Sequence, residues 1–141
     1  MPRKPKSWAE KMDARPPHKV RLKDAFAGVP AGAELLISSP PEIEHFLRTH
    51  VPLGVTMPVQ QLRRKLADLH GADATCPVST SLFLRTISEV AWEQLQAGAS
   101  THDVAPFWRV VDPASPLARK LSCGPEWIRQ RLAAERSGDQ P

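Results

Sequence analysis

Cys76 and Cys123 are the two thiols of this chain. A thiol attacks as its thiolate, so it needs a base to form the anion and a group to orient that base. Neither cysteine sits in a metal-ligand spacing such as Cys-x-x-Cys. Cys76 precedes a helix start, where the positive helix end lowers a thiol's pKa. The competing reading is a small buried or capping residue. His102 stands shortly before the segment Pro106-Phe107-Trp108-Arg109-Val110-Val111. No nucleophile faces it there, and it reads as a loop histidine. Phe107 has no lone pair to attack with, and the Trp108 indole is a donor only. Covalent catalysis, a metal and a cofactor are therefore not expected. What these residue types offer is stacking, hydrogen bonding and charge.

The elements that position them follow from pattern. At 141 residues the chain is one domain's worth with a tail. A hydrophobic fraction of 41% and 15 prolines predict a modest core with proline-punctuated ends. No apolar window is long enough to span a membrane, and the N-terminus lacks the apolar run of a signal peptide. A cytoplasmic location is the default expectation. The net charge of +4 favours an anionic partner, mildly. Residues 1–34 show no sustained period and read as a basic, proline-containing arm. Its cations, Arg3, Lys4 and Lys6 first among them, suit nucleic-acid phosphates or a solvated tail. Trp8 either anchors this arm or begins a short helix across residues 7–12.

Leu35-Leu36-Ile37 predicts a short strand. Ser38-Ser39-Pro40-Pro41 opens a helix with Ile43, Phe46 and Leu47 on its buried face. Thr56 is the expected cap of the next helix. Val59, Leu62, Leu66 and Leu69 form its apolar stripe, and Gly71 stops it. Ser79 or Thr80 caps a third helix with Phe83, Ile87, Val90 and Ala91 along one side. Residues 104–111 read as extended or irregular, and 112–116 as a turn. Gly124-Pro125 starts a final helix with Trp127, Ile128 and Leu132 inward. Residues 137–141 should fray. Two helices with a short linker, the second starting in small hydroxylated residues, suggest a helix-turn-helix.

From Glu42 to Glu135 this order resembles the C-terminal domain of the alkylguanine-DNA alkyltransferases. Val51-Pro52-Leu53-Gly54-Val55-Thr56 is similar to that family's Ile-Pro-x-Gly-x-Val/Thr link. Val59-Gln60-Gln61-Leu62 resembles the first helix of its helix-turn-helix, and residues 79–94 fall on the recognition helix. Pro106 to Val111 resembles its Pro-Cys-His-Arg-Val-Val active-site segment, with Phe107 at the cysteine and Trp108 at the histidine. Glu135 falls at or near the carboxylate that orients the histidine. The alkyltransferase-like members of the family also lack the cysteine; they bind alkylated DNA without repairing it and flag it for excision. They keep the histidine, however, and the family carries a tyrosine early in the helix-turn-helix, where this chain has Met57-Pro58.

The resemblance implies a mainly α, winged-helix-like helix-turn-helix domain over 35–136, with short extended segments. It implies a non-enzymatic binder of double-stranded DNA, with alkylated DNA as a candidate ligand and repair proteins as candidate partners. Ser79, Thr80 and Ser81 would contact phosphates, and Arg85 would be the arginine that fills the duplex gap. Arg109 would be structural. Pro106, Phe107, Trp108, Arg109 and Glu135 would mark the former pocket, where Phe107 and Trp108 could stack on a base. The alternatives are a duplex-binding regulator without lesion preference and a structural or interaction protein on the same scaffold.

Overall fold

The apolar run at Leu35 becomes the middle of a small sheet in the computed structural model, which describes residues 4–138. Strand β1 (His18–Arg21) pairs antiparallel with β2 (Glu34–Ile37), and β2 pairs parallel with β3 (Ala74–Thr75). Asp73 lengthens the second ladder: its N–H donates to the Glu34 carbonyl at 2.9 Å, and its carboxylate accepts the Glu34 N–H at 2.8 Å. The stretch 1–34 is thus more than an arm, because β1 is part of the sheet. Lys19 and Arg21 both pair with Glu34, at 3.2 and 3.6 Å. Opposite charges facing across a ladder stabilise it, and those two cations are engaged within the protein. Such pairing joins residues far apart in sequence, so it leaves no local period. Of the expected arm and tail, Arg3 and residues 139–141 lie outside the described residues.

Helix α1 (Trp8–Lys11) is one turn long and opens with a reciprocal capping box between Ser7 and Glu10. In α2 (Pro40–His50) the Ser39 hydroxyl accepts the Glu42 N–H, and Ile43, Phe46 and Leu47 are buried as their spacing predicts. Helix α3 (Val59–His70) buries Leu62 and Leu66 and ends at Gly71, whose φ of 63° is left-handed. Two details differ from expectation. Pro58, not Thr56, occupies the cap position, so no side chain caps α3. Leu69 is 64% exposed, because the covered face at that end of α3 runs through Leu66, Ala67 and His70 and leaves Leu69 outside it.

Helix α4 (Pro77–Gln96) starts before the expected serines, and Cys76 is its cap: its Sγ accepts the Ser79 N–H at 3.4 Å. Residues 104–111 contain one 3-10 turn, Phe107–Arg109. The turn expected at 112–116 leads into a further short helix, α5 (Pro116–Lys120), capped by Ser115. Helix α6 (Gly124–Arg136) closes the described chain. The architecture is mainly α with a small three-stranded sheet. No helix among the described residues is long and apolar enough to cross a membrane.

Helix α4 connects two apolar clusters. Leu84 and Ile87 pack with Leu36, Ile43, Leu47, Leu62 and Leu66. One turn on, Ala91 packs with Phe107, Trp108, Ala118 and Ile128. This division yields a direct check. Leu47→Ala should lower the unfolding free energy by about 2–5 kcal/mol, while Leu69→Ala should change it by no more than about 0.5 kcal/mol. Urea titration of both variants measures the contrast, and similar losses would contradict the placement of α3.

Candidate functional site

The 3-10 turn and α6 bring Trp108, Arg109 and Glu135 together across 26 residues of chain. Proline at 106 and the tight turn aim the Trp108 indole and the Arg109 guanidinium toward α6. The indole N–H donates to Glu135 Oε2 at 2.8 Å. Arg109 meets both oxygens of the same carboxylate, Nε to Oε1 at 2.9 Å and Nη2 to Oε2 at 3.0 Å. This two-pronged geometry is the strong form of the arginine–carboxylate pair. Arg131, four residues before Glu135 on α6, adds a second cation with Nε 3.6 Å from Oε2. Its Nε and Nη2 are buried without a hydrogen-bond partner.

Glu135 is nearly enclosed, with its side chain 3% exposed. Burial pushes its carboxyl pKa up. Hydrogen bonds from Arg109 and Trp108, and the charges of Arg109 and Arg131, outweigh that and hold it below the ordinary carboxylate value. The group is therefore a fixed anion, with its lone pairs taken by donors. It cannot serve as a base without breaking these bonds.

Phe107 and Trp108 are fully buried. Phe107 stacks on Trp127 with ring centroids 5.8 Å apart and an interplanar angle of 17°. Trp108 meets Phe107 and Trp127 edge-on, at 5.3 and 5.6 Å. Trp92 extends the cluster through Trp127. The expectation that Phe107 and Trp108 could stack on an unstacked base does not fit this geometry, because both rings are fully buried and Phe107 is already stacked on Trp127. Arg109 also holds the surroundings. Its Nη1 donates to the Val51 carbonyl at 2.9 Å, and its own carbonyl accepts the Met57 N–H at 2.9 Å.

The residues expected to touch phosphates separate. Thr80 is buried, and its hydroxyl donates to the Cys76 carbonyl at 2.7 Å. The Ser79 hydroxyl is enclosed without a partner. Only Ser81 of the three is exposed. Arg85 is half-buried, its guanidinium 5.3 Å from the Trp8 ring centroid. These inward turns follow from the buried position of α4, which is packed by α1, α2 and the 3-10 turn. Lys4 and Lys6 are exposed.

Two clefts lie along α3, besides a third of about 330 Å³ at its entry that is lined by Thr56, Met57, Pro58, Trp108, Arg109 and Arg136. One, of about 360 Å³, is bordered by Pro58, Gln60, Ser81, Asp112, Ser115 and Lys120 over a floor of Leu84, Val110 and Val111. The other, of about 400 Å³, lies between Gln60, Arg63 and Arg64 of α3, the loop at Gly28 and Pro77 of α4, with Asp68 and Asp73 on its rim. Arg63, Arg64 and Lys120 form no ion pair among the described residues. Sequence pattern pointed to none of these groups, since α5, which carries Lys120, is itself unexpected. Arg131 had a signal that could have been used, its spacing of four from Glu135.

Cys123 is the other thiol. Burial, then the nearby Glu89 charge, pushes its pKa up to about 11. The buried Glu89 carboxylate accepts the Ser122 N–H at 3.2 Å and the Ser122 hydroxyl at 3.1 Å. His102 is exposed, with Arg48 and Thr101 around a cleft of about 190 Å³. No three potential metal ligands cluster among the described residues.

Glu135→Gln should destabilise the protein by about 3 kcal/mol, since it leaves two buried arginines without an anion. The wild-type contribution is present above the unfolded carboxyl pKa of about 4.3 and is lost as pH falls through the lower folded value. Unfolding free energies compared across that acid range should therefore converge for the two proteins. A gap that persists at low pH would contradict the assignment. Iodoacetamide should modify Cys123 in the native protein at least about tenfold more slowly than a free thiol. Equal rates by peptide mass spectrometry would remove its elevated pKa.

No protein-family model, curated protein or solved structure matches the chain.

Proposed function

We propose that this chain is a non-enzymatic protein that binds duplex DNA through the α3–α4 face, without preference for a lesion. The observation that carries the reading is the cleft where α3 begins. The first N–H groups of a helix present partial positive charge to an anion. In α3 no side chain caps them, and the first turn holds no acid. Ser81, Gln60 and Lys120 border the same cleft, and Arg63 and Arg64 line the groove beside it. Two rim acids are already engaged: Asp112 accepts the Ala114 N–H, and Asp73 the Glu34 N–H. Hydrogen bonding does not cancel a carboxylate's charge, and Asp68, Asp73 and Asp112 match Arg63, Arg64 and Lys120 in number. What suits a phosphate here is the uncapped start of α3 together with the polar groups of Ser81 and Gln60.

The resemblance to the alkyltransferases supports the same reading and its limit. Their helix-turn-helix scaffold binds DNA, and α3 and α4 would be its two helices here. Their chemistry needs a thiolate and a base at the positions held by Phe107 and Trp108. Those rings are sealed within an aromatic cluster, which favours general duplex binding over lesion reading.

Fluorescence anisotropy with matched duplexes, one carrying an alkylated guanine, tests this. Equal affinities are expected, with Kd rising steeply with salt. Lys120→Ala and Arg64→Ala should each weaken binding to both duplexes and flatten the log–log salt slope by roughly one unit. A preference of about tenfold or more for the alkylated duplex would restore the lesion-reading alternative. No binding at about 50 mM salt would leave the structural or interaction role instead.

A further inference from the structure

Helix α1 is too short to persist by itself, since isolated helices of even a dozen residues are marginal in water. It has four residues, and its order comes from the Ser7–Glu10 box and from docking on α4. The docking contact is specific. Two cations approach the Trp8 ring, with Lys11 Nζ 4.2 Å and the Arg85 guanidinium 5.3 Å from its centroid. Met12 packs against the core behind it. The chain then runs through Asp13, Ala14, Arg15 and Pro16, all exposed, before it enters β1.

Arg85 is held at a disadvantage in this arrangement. Its Nε is buried without a hydrogen-bond partner, and it forms no ion pair among the described residues. A guanidinium against an indole face gains a cation–π contact. It gains more from an oxyanion that accepts its N–H groups. Ser81 is exposed at the α3–α4 cleft, and Arg85 lies four residues further along α4, on the same face one turn away.

We infer that α1 is a strap that cages Arg85 against Trp8 and withholds it from the α3–α4 face until a polyanion draws it out. This rests on the duplex reading above and deepens it. Lifting α1 extends the cationic face by one helical turn. It also releases Lys11 from the Trp8 ring; Lys11, like Lys4 and Lys6, is exposed. The docked strap sets a threshold: a weak or isolated anion does not repay the lost Trp8 contacts, whereas a duplex offers several phosphates at once. Arg85 becomes a conditional contact rather than a standing one.

The test uses the full chain and two readouts. Labelling of arginines with a dicarbonyl reagent, read by peptide mass spectrometry, reports Arg85 exposure without DNA, and the exposed Arg64 is the internal reference. Anisotropy reports duplex affinity. In the wild type Arg85 should react more slowly than Arg64. In Trp8→Ala it should react about as fast, and duplex affinity should rise roughly threefold to tenfold. That gain should vanish when Arg85→Ala is added, the signature of coupled residues. Ser7→Ala with Glu10→Ala, both exposed, removes the cap without touching the core and should act in the same direction. Wild-type Arg85 labelling as fast as Arg64, or a Trp8→Ala gain that survives Arg85→Ala, overturns the strap. If Arg85 labelling rises but no variant binds duplex, the duplex reading falls while the cage stands. If duplex binding is intact and neither readout responds to Trp8→Ala, the strap alone falls.

Discussion

The Glu135 carboxylate is the point on which the C-terminal half of the structure depends. It takes hydrogen bonds from the Trp108 indole and the Arg109 guanidinium and lies within ion-pair reach of Arg131. Removing a carboxylate from water is expensive, and only good geometry with filled lone pairs offsets it. Here the geometry is a two-pronged guanidinium plus an indole donor. The bond network reaches further through Arg109, which also holds the Val51 carbonyl and the Met57 N–H. One residue, through its side chain and its backbone carbonyl, thereby ties the end of α2, the entry to α3, the 3-10 turn and α6. A segment whose order resembles a reactive one is built as a clamp.

The aromatic cluster is the apolar counterpart of that clamp. Trp108 points its polar edge at Glu135 and its body into Phe107 and Trp127. An indole is well suited to this, because it buries a large apolar surface and has a single donor to satisfy. Phenylalanine at 107 needs no partner, so it can fill the interior between them. Phe107 and Trp108 thus have a coherent physical role in packing.

Helix α4 shows why the exposed surface is so limited. Its buried residues include Leu84, Ile87 and Ala91, and also Thr80, Thr86, Ser88 and Glu89. The hydroxyls are accommodated by bonding back to carbonyls one turn earlier: Thr80 to Cys76, Thr86 to Leu82 and Ser88 to Leu84. Glu89 is satisfied by Ser122. A helix surrounded in this way is exposed in its last turns, at Glu93, Gln94 and Gln96, and keeps an open face near its start, at Val78, Ser81 and Leu82. What that face can bind is set by its neighbours on α3 and α5 as much as by α4.

Local pattern by itself determined α2, the stripe of α3, the Gly71 stop and the final helix. These depend on contacts within a few residues: a serine cap, a proline in the first turn, apolar side chains three and four apart. The resemblance to the alkyltransferases, and not local pattern, singles out Phe107, Trp108, Arg109 and Glu135. Tertiary structure decided the rest. Strand β1 exists because its backbone pairs with β2, 13 to 19 residues further along the chain, and α5 because Ser115 caps a turn that continues into helix. Leu69 fits the stripe of α3 yet is exposed, because periodicity offers a face but the neighbouring elements decide which side of it they cover, here that of Ala67 and His70. Ser79, Thr80 and Arg85 carry the chemistry of a surface, and α1, α2 and the 3-10 turn cover α4 and turn them inward. The physical reason is common to all of these. Burial and partnership are properties of pairs distant along the chain, and a side chain's chemistry does not reveal whether its partner will be water or another part of the protein.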